Sequence, residues 1–166
     1  KWIGRELTQR GWPIVFLHHK GSNSDTLSEV LEGKEVIPGS SDFFFNRIKD
    51  LDVVLEAHRN GSFGLANDSY ILMGHSLGAL IALLYEGGKP LEGLQNRCDK
   101  ALTDFAVTNI SKLLQCQLSE IPLPKKNNPK KANAIIGFNA FGSLIWPKEK
   151  SSGIDVPILL IGGTYD

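Results

Sequence analysis

The stretch YILMGHSLGAL, residues 70 to 80, decides the fold of this chain. Its first four residues form a continuous apolar run, which is typical of a strand buried on both faces of a parallel sheet. The apolar residues from Ala79 to Tyr85 follow at once and predict a buried helix, which Gly87 and Gly88 should end. We therefore predict a strand that turns directly into a helix, with Ser76 at the turn.

The turn itself carries the pattern G-x-S-x-G over residues 74 to 78. A bare pattern of this kind often occurs by chance, but between a strand and a helix it predicts a nucleophile elbow. Ser76 should hold a strained backbone at the apex of this elbow. Gly74 and Gly78 should let the strand and the helix pass closely, because neither has a Cβ atom.

Length and charge limit the function classes. At 166 residues we expect one domain over 1–166, and the balance of 18 Lys+Arg against 18 Asp+Glu removes the electrostatic reason to expect a nucleic-acid partner. We see no apolar run long enough for a transmembrane segment and no signal peptide in residues 1 to 10, and therefore expect a cytoplasmic protein. Because the chain begins at Lys1 rather than Met, we also expect that processing or truncation has removed something ahead of it. The oligomeric state stays open.

Two cysteines, Cys98 and Cys116, are present, and neither belongs to a C-x-x-C pair. A metal site is therefore not expected. Two interpretations stay open: a disulfide in an oxidising compartment, or two buried thiols. The second is favoured for a chain without an export signal.

Hydrophobic periodicity and turn residues predict the remaining elements. The end of a helix over 3–10 should precede a buried strand over 13–17, and a second helix should be capped by Asp42 and end at Asn60-Gly61. One face of that second helix carries a stripe of Phe44, Ile48, Leu51, Leu55 and His58. Two more buried strands are expected over 134–138 and 156–161. This order predicts an α/β fold with a mostly parallel sheet and flanking helices.

Residues 89–131 interrupt the alternation of strands and helices. We interpret them as a helical insert, or cap, that covers the site. It contains an amphipathic stretch over 102–114 and a basic, proline-broken loop over 122–131, which we interpret as a solvated loop.

The chain resembles the α/β-hydrolase superfamily along nearly its whole length. The elbow, the ending GGTYD over 162–166 after an apolar strand, and the insert carry the resemblance. Residues 18–23, HHKGSN, look like a loop of predicted dienelactone hydrolases, which are close to platelet-activating-factor acetylhydrolase-like esterases. The resemblance implies an α/β-hydrolase fold truncated at both ends.

It also implies a serine hydrolase that cleaves a carboxylic ester, a thioester or a lactone through an acyl-enzyme on Ser76. Asp166 matches the acid of the triad, and the backbone N–H of Leu77 matches one oxyanion donor. His18 and His19 lie at a strand end where a small-molecule ester could enter a pocket. No cofactor and no metal are implied.

One departure from the family pattern supports an alternative. All four histidines precede Asp166, so none matches the triad histidine, and this chain alone can be inactive. His75 lies inside the elbow and is expected to pack, and His58 is expected to be a partly buried or helix-capping residue. The alternative is a non-catalytic or incomplete hydrolase-fold fragment that binds a ligand or a partner.

Overall fold

The structure, a computed structural model, describes residues 2–19, 40–65, 67–103, 115–116, 118, 126–140, 142–146 and 153–163. These residues form helices and a parallel three-stranded sheet, so the chain belongs to the α/β class. The elements in chain order are α1 Trp2–Gln9, α2 Ser40–Arg59, β1 Ile71–His75, α3 Leu77–Tyr85, α4 Leu94–Thr103, β2 Ala134–Phe138 and β3 Ile158–Ile161. The chain divides into two compact units, residues 1–38 and 39–166. One domain over 1–166 stays a prediction.

In the first unit, α1 confirms the predicted helix. The hydroxyl of Thr8 donates a 2.7 Å hydrogen bond to the carbonyl of Gly4. The helix ends at Gln9, and Gly11 in the following turn has a φ of 84°, a left-handed conformation that glycine adopts without strain.

The strand predicted over 13–17 is wrong. Residues 12–19 have no regular structure, and the side chains of Ile14, Val15 and Phe16 are exposed. Phe16 instead lies against Gly4 of α1. An apolar run gives a strand only where a neighbouring strand supplies hydrogen-bond partners, and the described part of this unit contains none.

Helix α2 confirms the predicted apolar stripe, which is buried at Phe44, Ile48, Leu51 and Leu55. The helix begins at Ser40, so Asp42 lies inside its first turn and is not the cap that the sequence predicted. Its other end is as predicted, since Gly61 has a φ of 77° directly after the helix. Burial lowers the pKa of Arg47 to about 10, and the charge of Asp50 opposes this shift.

The sheet has the order β1, β2, β3, and both pairs of strands are parallel. Gly74 pairs with Gly137, and Gly137 pairs with Leu160. Helix α3 packs across β1 and β2, and its residues from Ala79 to Tyr85 are buried as predicted. The sheet and α3 therefore fix the position of the turn between them.

Strand β3 forms where it was predicted, but it is not buried. All four of its side chains are exposed, from 41% at Ile158 to 58% at Leu160. The central strand β2 differs, since Ile135 is fully buried. Strand β1 is also less buried than predicted: Leu72 is buried, but Ile71 and Met73 are 41% and 40% exposed. Both β1 and β3 lie at edges of the described sheet, so only β2 has a strand on each side.

The basic loop is not simply a solvated loop in the part that the structure describes. Lys126 Nζ lies 2.9 Å from Glu86 Oε2, and the Glu86 side chain is only 1% exposed. Lys130 pairs with Asp68, and Lys131 pairs with Asp155 at 2.7 Å. The sequence alone does not show which carboxylates these lysines pair with, because the partners come from distant positions in the chain.

Residues next to Lys126 are held by a buried carboxylate on α2. Asp52 Oδ1 accepts hydrogen bonds from the Tyr85 hydroxyl at 2.7 Å, from Asn127 N at 3.0 Å and from Asn128 N at 3.4 Å. Burial raises the pKa of the Tyr85 phenol, and its hydrogen bond to Asp52 raises it further. The chain that returns from the insert is therefore anchored to α2 and to the end of α3.

We expect Lys126→Met to lower the free energy of unfolding by about 3 kcal/mol, because it leaves the buried Glu86 carboxylate without its cation. Urea denaturation monitored by circular dichroism measures this loss. The double variant Lys126→Met/Glu86→Gln should recover much of it, since the buried charge is also removed. Equal losses in the single and the double variant would contradict the buried ion pair.

Cys98 and Cys116 form a disulfide, with Cα atoms 5.6 Å apart. The interpretation that we favoured from the sequence, two buried thiols, is therefore wrong. The sequence could not decide between them, because the 18-residue separation leaves the distance between the two residues undetermined.

Candidate functional site

Ser76 lies in the predicted strand–turn–helix. Strand β1 ends at His75, Ser76 forms the turn, and α3 begins at Leu77. The backbone of Ser76 has φ 53° and ψ −117°. This combination is sterically costly for any residue with a Cβ, by about 1–3 kcal/mol, and such strain persists where the surrounding structure enforces it.

Gly74 shows what enforces the turn. A Cβ atom on Gly74 would overlap the backbone of Gly78 and Ala79, so the strand and the helix cross in direct backbone contact at this residue. Gly78 differs from the prediction, because a Cβ on Gly78 would meet no described atom within 4 Å. We expected both glycines to allow the close approach of the strand and the helix. Among the described contacts, only Gly74 does so.

The start of α3 supplies the polar groups of the turn. The carbonyl of Ser76 accepts hydrogen bonds from Ala79 N at 3.1 Å and from Leu80 N at 3.2 Å. The Ser76 side chain makes no capping hydrogen bond to the helix. The N–H of Leu77 belongs to the first helical residue and has no acceptor one turn earlier within the helix. A helix N-terminus of this kind favours a negatively charged oxygen.

The neighbouring strand fixes Ser76 from its other side. Ser76 N donates a 2.8 Å hydrogen bond to the carbonyl of Phe138, the last residue of β2. The next residue, Asn139, also has a positive φ, at 45°, and its N–H donates to Ile161 O at 2.7 Å. The carboxyl ends of all three parallel strands therefore lie at one edge of the sheet, and Ser76 is on this edge.

The sequence did not predict a left-handed residue beside Ser76. The signal was present, because asparagine tolerates this conformation better than most residues and Asn139 directly follows a strand.

The other predicted site residues are placed as follows. His75 belongs to β1 and pairs with Phe138, but its side chain is exposed and not packed as expected. His18 and His19 belong to the first unit, residues 1–38. Asp166 lies outside the described residues, as do most residues of the amphipathic stretch 102–114.

His58 is partly buried, as predicted, at the end of α2. Its Nε2 lies 3.1 Å from the carbonyl oxygen of Ser69, and its ring stacks on Phe63 with centroids 6.1 Å apart. These contacts give His58 a packing role in the loop between α2 and β1.

We expect the free energy of unfolding of Ser76→Gly to exceed that of Ser76→Ala by about 1–2 kcal/mol, because only glycine adopts this φ and ψ without strain. Both variants remove the hydroxyl, so the difference between them isolates the backbone. Guanidinium denaturation of the two variants measures it. A Ser76→Ala variant as stable as Ser76→Gly would show that the turn is not strained.

Neither a membrane-spanning helix nor a metal site is present among the described residues. No helix among them is long and apolar enough to cross a membrane. No group of three or more His, Cys, Asp or Glu side chains among them is arranged to hold a metal ion.

Comparisons with known proteins returned no match for this chain. No family model matches it, no curated protein matches it, and no solved structure matches it. Any assignment of function therefore depends on the geometry of the site and on the sequence pattern.

Proposed function

We propose that this chain is a serine hydrolase of the α/β-hydrolase type, which cleaves a small carboxylic ester, thioester or lactone through an acyl-enzyme on Ser76. The backbone of Ser76, with φ 53° and ψ −117° at the junction of β1 and α3, is the observation that carries the proposal. A serine in this position stands out of the sheet edge, where ligands bind in open α/β sheets.

The first step is attack of Ser76 Oγ on the carbonyl carbon of the ester, while a general base takes the hydroxyl proton. The carbonyl oxygen becomes an oxyanion, which the N–H of Leu77 can stabilise because it opens α3. One such donor contributes about 3 kcal/mol of transition-state stabilisation. The alcohol or thiol then takes the proton from the base and leaves, or, from a lactone, stays attached to the acyl group, and water releases the acid from Ser76.

The acid of the triad is proposed to be Asp166. Strand β3 ends at Ile161 on the same sheet edge as Ser76, and Gly162 and Gly163 lead away from it toward Asp166. Strand β2 lies between β3 and β1, the strand that leads into Ser76. The role of Asp166 would be to orient and stabilise a histidine that serves as the base.

Mixing the protein with p-nitrophenyl acetate, quenching in acid and measuring the intact mass tests the proposal. We expect a species heavier by one acetyl group, and peptide mapping should place that group on Ser76. Acetylation of lysines without acetylation of Ser76 would contradict the proposal. It would favour the alternative, a non-catalytic protein of this fold that binds a ligand or a partner.

A further inference from the structure

Both backbone groups of Leu144 are held by side chains from the insert. Arg97 Nε donates a 2.6 Å hydrogen bond to Leu144 O, and Leu144 N donates a 2.9 Å hydrogen bond to Gln115 Oε1. The Gln115 side chain is fully buried. Leu144 belongs to the segment 142–146, which leads away from the carboxyl end of β2.

These two side chains come from the residues that directly precede the two cysteines. Arg97 precedes Cys98 in α4, and Gln115 precedes Cys116. The disulfide holds the two cysteine Cα atoms 5.6 Å apart, although 18 positions separate them in the chain. The bridge therefore fixes the spacing between the two side chains that hold Leu144.

Arg97 also connects this arrangement to the start of the insert. Its Nη1 donates to Glu92 O at 2.7 Å, and its Nη2 donates to Leu91 O at 2.9 Å. Leu91 N in turn donates to Ile145 O at 3.2 Å. A guanidinium with three carbonyl partners is a rigid connector, because its donors lie in one plane.

We propose that the Cys98–Cys116 disulfide is a redox-sensitive clamp on residues 142–146. When the disulfide is intact, Arg97 and Gln115 hold this segment. When a dithiol reduces the disulfide, Arg97 and Gln115 release it. The disulfide limits the conformations of the chain between the cysteines, and reduction restores that freedom. A bridge that holds a loop through its two neighbouring residues suits the role of a clamp.

Reduction requires two electrons and two protons, which the dithiol supplies. A thiolate of the reductant attacks the sulfur of Cys116, which is the more exposed of the two residues because Cys98 is 1% exposed. The Cys98 sulfur leaves as a thiolate and takes up a proton. The second thiol of the reductant then closes a disulfide within the reductant and releases Cys116 as a thiol.

The test uses Trp146, whose indole N–H donates to Lys89 O at 2.9 Å within the clamped segment. The chain has three tryptophans, so the variant Trp2→Phe/Trp12→Phe leaves Trp146 as the single tryptophan, which is excited selectively over tyrosine at long wavelength. On treatment with dithiothreitol we expect its emission to move to longer wavelength. We also expect the amide of Leu144 to exchange with deuterium about tenfold faster, which corresponds to about 1.4 kcal/mol.

Three variants serve as controls. Cys98→Ser/Cys116→Ser should show the released emission without reductant and no response to it. Arg97→Lys, which keeps the charge but loses the planar set of donors, and Gln115→Met, which keeps the length but loses the acceptor, should shift the emission in the oxidised protein. Unchanged Trp146 emission and unchanged exchange at Leu144, in wild type shown by thiol alkylation to be fully reduced, would overturn the clamp.

A second expectation rests on the proposed function. Residue Asn139, beside Ser76, and the clamped segment 142–146 belong to the same connection from β2 to β3, so release should slow the reaction of Ser76 with a serine-directed probe. Reaction of Ser76 at the same rate in both redox states would limit the clamp to the loop. No reaction in either state, together with a response of Trp146, would contradict the hydrolase and leave the clamp supported.

Discussion

Ser76→Ala is expected to lower the rate of ester hydrolysis by about 10⁴-fold or more, to the rate of the uncatalysed reaction plus whatever binding alone contributes. The physical reason is that the variant has no oxygen to form the acyl-enzyme, while the strained turn and the N–H of Leu77 stay in place. Initial rates with p-nitrophenyl esters of increasing acyl length measure this change and also define the preferred acyl chain.

Ser69→Ala is the matched control. Ser69 is an exposed serine whose N–H is held by Asn67 Oδ1 at 2.9 Å, and it lies before β1 rather than after it. We expect this variant to keep the wild-type rate. A Ser76→Ala protein that hydrolyses esters as fast as the Ser69→Ala protein would exclude Ser76 as the nucleophile.

Gly74→Ala is expected to destabilise the fold by about 3 kcal/mol or more, because the added methyl group would overlap backbone atoms of Gly78 and Ala79. Side chains can rotate away from a clash, but the backbone at the start of α3 moves only if the helix shifts on the sheet. Chemical denaturation of the purified protein, or loss of soluble protein on expression, measures the effect.

Gly78→Ala is the control for this prediction. Gly78 lies in α3, and a Cβ there meets no described atom within 4 Å. Alanine is favoured over glycine inside a helix by roughly 0.5–1 kcal/mol, so this variant should be as stable as wild type or slightly more stable. Similar losses of stability in the two variants would contradict the crossing at Gly74.

The sequence was sufficient to predict the turn at Ser76. Local signals agree there: an apolar run of strand length, a serine between glycines, and an apolar run of helix length up to Tyr85. The same kind of local pattern predicted β2 over 134–138 with its observed bounds. Where the residues that define an element are neighbours in the chain, the sequence contains the information.

The wrong predictions concern contacts between residues that are distant in the chain. The apolar residues 13–17 look like a strand, but a strand also requires a partner, and pairing is a property of distant residues. Lys126 and Glu86, or Cys98 and Cys116, are likewise brought together by the fold and not by their spacing. The exposed face of β3 shows the same limit, since burial depends on what packs against a strand.

The candidate site follows the same rule: the sequence predicted residues that are neighbours in the chain, but not contacts between strands. The sequence indicated Gly74, Ser76 and Leu77, which form one continuous stretch of chain. It did not indicate that Phe138 accepts the hydrogen bond from Ser76 N, because that contact joins β1 and β2. The assignment of Asp166 as the acid stays a prediction, and none of the four histidines is assigned as the base.

The most direct test of Ser76 as an activated nucleophile is intact-mass spectrometry of the chain after reaction with a fluorophosphonate, with Ser76→Ala measured beside it. Fluorophosphonates react with serines that a nearby base has activated, and they need no knowledge of the substrate. We expect one adduct on wild type and none on Ser76→Ala. Absence of an adduct on wild type, or an adduct that persists in Ser76→Ala, would contradict the assignment of Ser76 as an activated nucleophile.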